Sequence, residues 1–185
     1  MNIIAAQFVS VAVAAYLAAA CAVLGRRKAG YSHWAHTISE LGEQGARDQR
    51  LVAFGMFLPV GLLLLAVAGL MWREQPHSAR LALCIAVGYI GAAFFPCDPG
   101  SPGTGSPRQA LHNLAGGVEY VGGGLALIAM APRHGPLTQW CGVIVLGSGF
   151  LIGVMPSTGW RGALQRVAES CLFGGLAFSL WWAYL

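Results

Sequence analysis

Apolar residues occur in long runs along this chain, and the residues able to do chemistry are gathered between the runs. Six runs predict membrane-crossing helices, at residues 3–24, 51–72, 81–96, 111–131, 137–155 and 164–185. All but the shortest, the third, come close to the roughly 20 apolar residues that cross a hydrocarbon core about 30 Å thick. Segments such as 60–70 carry no polar interruption, which a helix with one face in water would require. Inside a bilayer the backbone amides have to be bonded within their own segment, so runs of this length predict helices rather than open sheet. The first run has no basic residue before it and is longer than a signal-peptide core, so it is expected to stay as a helix. The chain reads as an all-α, polytopic integral membrane protein, a single domain over residues 1–185 folded as a six-helix bundle.

Composition strengthens this picture. Charged residues make up 10% of the chain and hydrophobic ones 56%, far from the balance of a domain folded in water. A weak repeat adds an expectation of three helical hairpins. Leu111-His112-Asn113-Leu114-Ala115 opens the fourth run much as Leu164-Gln165-Arg166-Val167-Ala168 opens the sixth and Gln49-Arg50-Leu51-Val52-Ala53 the second. The glycines at 116–117, 122–124 and 174–175 would let helices approach closely.

Charge sets the expected orientation. The connections after the first, third and fifth runs hold Arg26, Arg27, Lys28, Arg47, Arg50, Arg108, Arg161 and Arg166, whereas the other side has Arg73, Arg80 and Arg133. An excess of Lys and Arg marks cytoplasmic loops, so both termini are expected outside and the longer loops inside, as in a bacterial inner membrane. The net charge of +4 is explained by helix ends anchored at lipid head groups and calls for no nucleic-acid partner. Four of the five cysteines, Cys21, Cys84, Cys141 and Cys171, fall inside predicted helices, which argues against a disulfide framework. Cys97 lies at a loop edge beside an acid.

Three groups of polar residues are candidates for function. In Tyr31-Ser32-His33-Trp34-Ala35-His36-Thr37-Ile38-Ser39-Glu40, a helical conformation would put His33, His36 and Glu40 on one face. Such a face either binds a metal through imidazole or relays protons through a His–carboxylate pair. The plainer alternative is an interfacial helix anchored by Tyr31 and Trp34, with solvated histidines. In Phe94-Phe95-Pro96-Cys97-Asp98-Pro99-Gly100, proline ends the third helix and fixes Asp98 at the membrane boundary, as a functional acid or as the cap of a turn. Within the spans, His112 and Glu119 are seven residues apart on one face, which places Glu119 about 10 Å deeper. Glu169 lies about 12 Å along its helix from Arg161, with Arg166 between them. Ionisable residues at such depth usually face a bundle interior or a watery cavity, so a polar pocket is expected; the alternative is that Arg166 neutralises one of the acids and locks two helices together.

The run His36-x-x-Ser39-Glu40-Leu41-Gly42, the Phe95-Pro96-Cys97-Asp98 element and His112 at the opening of the fourth helix resemble the family known as domain of unknown function 998. The resemblance covers most of the chain, and Phe-Pro-Cys-Asp is its most specific part. It implies a six-helix integral membrane protein, commonly bacterial, and directs attention to His36, Ser39, Asp98 and His112, without implying a mechanism.

These readings leave three classes of function. The first is a membrane-embedded enzyme-like protein acting on a lipid or other amphipathic substrate at the cytoplasmic face. There His36, Asp98 and His112 would be acid/base groups or, with His33, ligands of a divalent metal, Ser39 a positioning hydroxyl and Glu119 a deeper acid or base. Glu40, Arg161, Arg166 and Glu169 would line the same pocket. The second is a small transporter or proton-coupled carrier titrating at Glu119 and Glu169; against it, no deep polar residues approach from the opposite face. The third is a non-catalytic assembly or sensor protein. Haem is not expected, because His77 and His134 are placed in loops away from His112.

Overall fold

The computed structural model describes residues 2–155 and 159–182. Among these residues there is no strand, and six long helices make a bundle: α1 (Asn2–Arg27), α2 (Leu51–Met71), α3 (Pro76–Phe94), α4 (Pro107–His134), α5 (Pro136–Val154) and α6 (Arg161–Trp182). The first five are long and apolar enough to cross a membrane. With 22 residues, α6 is long enough too, about 33 Å at 1.5 Å per residue, but Arg161, Arg166 and Glu169 in its opening turns make it more polar. The last three residues of the expected sixth span, 183–185, lie outside the described residues.

Proline and serine set the helix ends more sharply than the apolar runs do. Pro76 starts α3 five residues ahead of the expected boundary, because proline fits a first helical turn. The helix stops at Phe94, short of Pro96, which disfavours helical backbone in the residue before it. Ser106 caps α4 by accepting the Gln109 N–H at 3.2 Å, with Pro107 following. His77 and His134 consequently lie in the first turn of α3 and at the last residue of α4 rather than in loops, at the end of the bundle opposite His112.

Two stretches widen from α-helix to π-helix: Leu51–Phe57 at the start of α2 and Val118–Gly122 in the middle of α4. The first has an identifiable cause. Pro59 has no N–H to give the Gly55 carbonyl, and that carbonyl accepts the Tyr16 hydroxyl from α1 instead. The second contains Glu119.

Consecutive helices pack side by side, with α2 on α3 and α4 on α5 as well as the three expected pairs, so the packing does not single out hairpins. Contacts between α6 and α1 close the ring, and α3 also touches α6. Leu64, Leu81, Ile85, Leu127, Leu172 and Leu176 are fully buried between them, while Phe8, Leu62, Val121, Leu125, Phe150 and Val154 project outward, as lipid-facing residues do. Gly124 and Gly142 bring α4 against α5, and Gly175 receives Leu127 from α4. Gly116 and Gly117 do something else: a side chain at either position would meet nothing within 4 Å, so they leave space rather than permit contact.

At one end of the bundle the connections are minimal. A turn at residues 72–75 joins α2 to α3, and Gly135, at φ 82°, alone separates α4 from α5. The other end carries the long loops 28–50 and 95–106, which are bonded to each other. Gln44 N–H donates to the Cys97 carbonyl at 2.8 Å and Gly100 N–H to Glu43 at 2.8 Å, while Lys28 pairs with Glu43 at 2.6 Å.

Candidate functional site

The segment 33–38 forms turns rather than a helix, and Glu40 falls in a separate 3₁₀ turn, so the expected shared face of His33, His36 and Glu40 does not form. Local side-chain bonds fold it into turns. Ser32 N–H donates to His36 Nδ1 at 2.9 Å, and Glu40 accepts both the N–H and the hydroxyl of Thr37, at 2.8 and 3.0 Å. These bonds compete with helical ones and win over a stretch this short. A single 3₁₀ turn then begins at Ser39 and runs to Gly42.

This conformation delivers Ser39 to the end of α3 and the start of α4. His112, in the second turn of α4 and 9% exposed, has its Nδ1 2.9 Å from the Phe95 carbonyl and its Nε2 3.1 Å from Ser39 Oγ. A carbonyl only accepts, so the first bond places the imidazole proton on Nδ1. Nε2 of the neutral ring is then the acceptor, and Ser39 donates to it. The result is a hydroxyl hydrogen-bonded to a base whose far nitrogen is oriented by a third group, the arrangement that activates a serine nucleophile. Here the third group is a main-chain carbonyl freed where Pro96 ends the helix.

The two residues open onto a cavity of about 410 Å³ between α3, α4, α5 and the loop end of α6, within the size range of small-molecule sites. Glu119, Arg161, Gln165, Asn113 and Thr37 also line it. A Cβ at Gly116, Gly117 or Gly153 would meet nothing within 4 Å, so the cavity exists where these positions lack side chains. Gln165, which the sequence pattern did not single out, accepts the Ile38 N–H on Oε1 at 2.5 Å, and its side chain lines the cavity beside Tyr120. Arg161 is buried and holds the second loop, its two terminal nitrogens donating to the carbonyls of Gly100 (3.0 Å) and Ser101 (2.6 Å).

The remaining candidates lie elsewhere. Asp98 accepts the Ser106 N–H at 2.7 Å and the Ser106 hydroxyl at 2.8 Å, and these bonds hold its carboxyl below the usual carboxylate range. Its own N–H donates to buried Gln109 at 2.7 Å, so it clamps the entry to α4 and is not a cavity group. His36 stacks on Tyr31. His33 accepts from Arg166 at 2.8 Å, and partial burial, with Arg166 and Arg26 near, pushes its pKa below the ordinary imidazole value. Arg166 also donates to the carbonyls of His36 and Gly162 and to the Tyr31 hydroxyl, and it makes no ion pair with Glu119 or Glu169. Glu169 accepts the hydroxyls of Tyr89 (3.0 Å) and Tyr120 (2.8 Å). Burial pushes the Cys97 thiol up to about 12, which leaves it without nucleophilic character near neutral pH.

The tentative metal set of His33, His36, Asp98 and His112 is therefore not brought together, because each side chain is engaged by a different local partner. Among the described residues no group of three or more His, Cys, Asp or Glu side chains is placed to hold a metal ion.

Fold and site together define a membrane-embedded helical bundle with a polar centre at one end. The chain belongs to the family described as a protein of unknown function (DUF998), whose model matches residues 8–182. No curated protein and no solved structure matches it.

Proposed function

We propose that the protein is a membrane-embedded serine hydrolase or acyltransferase acting on a lipid or other amphipathic ester. The observation that carries this reading is the Ser39–His112 pair, 3.1 Å apart and oriented by the Phe95 carbonyl, at the wall of a cavity of about 410 Å³. Ser39 Oγ attacks the acyl carbonyl as its proton passes to His112 Nε2. The leaving alcohol departs with that proton, giving an acyl-serine. Water, or a second alcohol, then attacks the acyl-serine with His112 again taking the proton, which returns Ser39 to its hydroxyl form. Gln165, on the cavity wall, is the side chain assigned to the oxyanion in this scheme. His36 and Asp98 act at a distance in this scheme, by shaping the loops that present Ser39 and His112.

The basic residues support the expected orientation, eight at the site end against three at the other. The site end is then cytoplasmic, with both termini outside, in a bacterial inner membrane. Membrane lipids are the natural partners, and no nucleic acid is called for. The three-hairpin arrangement fits the repeated helix openings and remains part of this reading.

A fluorophosphonate probe tests it, since such a probe marks a serine made nucleophilic by its base. Purified protein in detergent is expected to take one adduct, located at Ser39 by peptide mass spectrometry. The adduct should vanish in Ser39→Ala and form at least a hundred-fold more slowly in His112→Ala. A folded protein that takes no adduct, or takes it at another residue, overturns the reading and returns weight to a carrier or a structural role.

A further inference from the structure

Glu119, a buried acid on the wall of the main cavity, has no part in the reaction at Ser39. It is 7% exposed, and its Oε1 is buried with no hydrogen-bond partner among the described residues. Most polar groups near it are committed elsewhere, although the buried Nε of Arg161, on the wall of the same cavity, also has no partner among the described residues. Tyr89 and Tyr120 both donate to Glu169, the terminal nitrogens of Arg161 go to loop carbonyls, and no ion pair among the described residues reaches Glu119. On the α3 side Gly88 makes room for it, since a Cβ there would run into the carboxylate.

Two observations connect this carboxyl to the cavity. Glu119 lines the same space as Ser39 and His112, beyond the open stretch left by Gly116 and Gly117. Glu119 and Ser39 also share, with Tyr89, Gln165 and Glu169, the lining of a second, much smaller cavity of about 20 Å³, a water-sized space. A buried acceptor without a donor is unfavourable, and a ligand that brings the donor binds more tightly for it.

We propose that Glu119 recognises a hydrogen-bond donor on the substrate, a hydroxyl, amide N–H or amine a few bonds from the carbonyl presented to Ser39. The substrate class is then a single-chain lipid ester or amide with a free polar donor next to its acyl linkage, its chain lying along Val121, Leu146 and Phe150. This rests on the Ser39–His112 reading for the placement of the carbonyl, while the donor preference itself is a property of binding.

The test uses Ser39→Ala protein, which cannot be acylated, and two probes: 1-monooleoylglycerol and the same lipid with both hydroxyls methylated. Binding of each in detergent is measured by microscale thermophoresis. The free hydroxyls are expected to bind at least ten-fold more tightly. Adding Glu119→Leu should bring the two affinities within two-fold, whereas Glu119→Gln, which keeps an acceptor oxygen, should retain most of the preference. Equal affinities with Glu119 present, no binding of either lipid, or a preference unchanged in Glu119→Leu each overturn the proposal. Fluorophosphonate labelling separates the two readings: an adduct at Ser39 with no donor preference removes this inference alone, and a preference without an adduct removes the serine mechanism alone.

Discussion

Two cavities of nearly equal size open within this bundle, about 410 Å³ beside Ser39 and His112 and about 420 Å³ between α1 and α6. The second is also lined by ionisable residues, namely His33, Arg166 and Glu169. Its charged groups are satisfied by the surrounding fold: Arg166 donates to four acceptors and Glu169 receives two tyrosine hydroxyls. In the first cavity Ser39 is held against a base and Glu119 has a buried oxygen with no partner among the described residues. Volume and charge therefore do not separate a site from a scaffold. Hydrogen-bonding capacity left over after the fold is complete does.

The comparison makes graded predictions, each open to a direct measurement. The largest effect should be on labelling rate. Loss of the base in His112→Ala is expected to slow fluorophosphonate capture by about 10²-fold or more, while Arg166→Met, in the other cavity, should leave the rate within a few-fold in any protein that stays folded. Equal losses in the two variants would erase the distinction.

Next come the two buried acids, which should respond unequally to removal. Glu169→Leu strands the hydroxyls of Tyr89 and Tyr120 and should destabilise the protein by about 2 kcal/mol, read as a lower Tm in detergent. Glu119→Leu removes an unmatched polar group and should change stability by less than about 1 kcal/mol in either direction. A large Tm loss in Glu119→Leu would show that its carboxyl is structural after all.

Filling the first cavity should be smaller still in stability and visible in binding. Gly117→Leu meets no neighbouring atom within 4 Å of the new Cβ and gains helix propensity of up to about 1 kcal/mol. It is expected to hold or raise Tm while abolishing the protection that 1-monooleoylglycerol gives Ser39 against labelling. Unchanged protection would place the lipid elsewhere.

The smallest effect concerns Asp98. Its carboxyl pKa is depressed by the Ser106 bonds below 3.8, so the stabilisation is fully present above that value and is lost as pH falls through the folded-state pKa. The wild-type Tm should therefore drop below about pH 4 more steeply than that of Asp98→Asn, which has no charge to lose. Parallel Tm curves would show that the clamp depends on shape alone.

How much of this could be read from the chain depends on what each residue answers to. Helix existence was legible because a lipid environment demands long apolar runs, and the runs at 3–24 and 51–72 fall within a few residues of α1 and α2. Helix ends were less so, because Pro76 and Ser106 start helices outside the apolar pattern. Ser39, His112, Glu119 and Arg161 were recognisable as unusual residues in the right part of the molecule. Their partners were not recognisable, since whether His36 or Ser39 meets His112 is decided by how residues 31–40 turn, and that follows from short-range bonds such as Ser32 to His36 and Thr37 to Glu40. Gln165 was visible only as part of a repeated helix opening, one turn after Arg161, and its role depends on an amide orientation fixed by the Ile38 N–H.

The π-helical turn at Val118–Gly122 has a bearing on how this family can change. A π turn closes its ring one residue later than an α turn, so it is the form a helix takes when it absorbs an extra amino acid without unravelling. Deleting one residue there would return α4 to regular pitch and swing the His112 end about 100° relative to the half that packs on α5. The bundle could survive such an event while Ser39 lost its base. On the mechanism proposed above, active and inert relatives are expected to differ by a single-codon gap at this turn, a mark to look for when members of the family are compared.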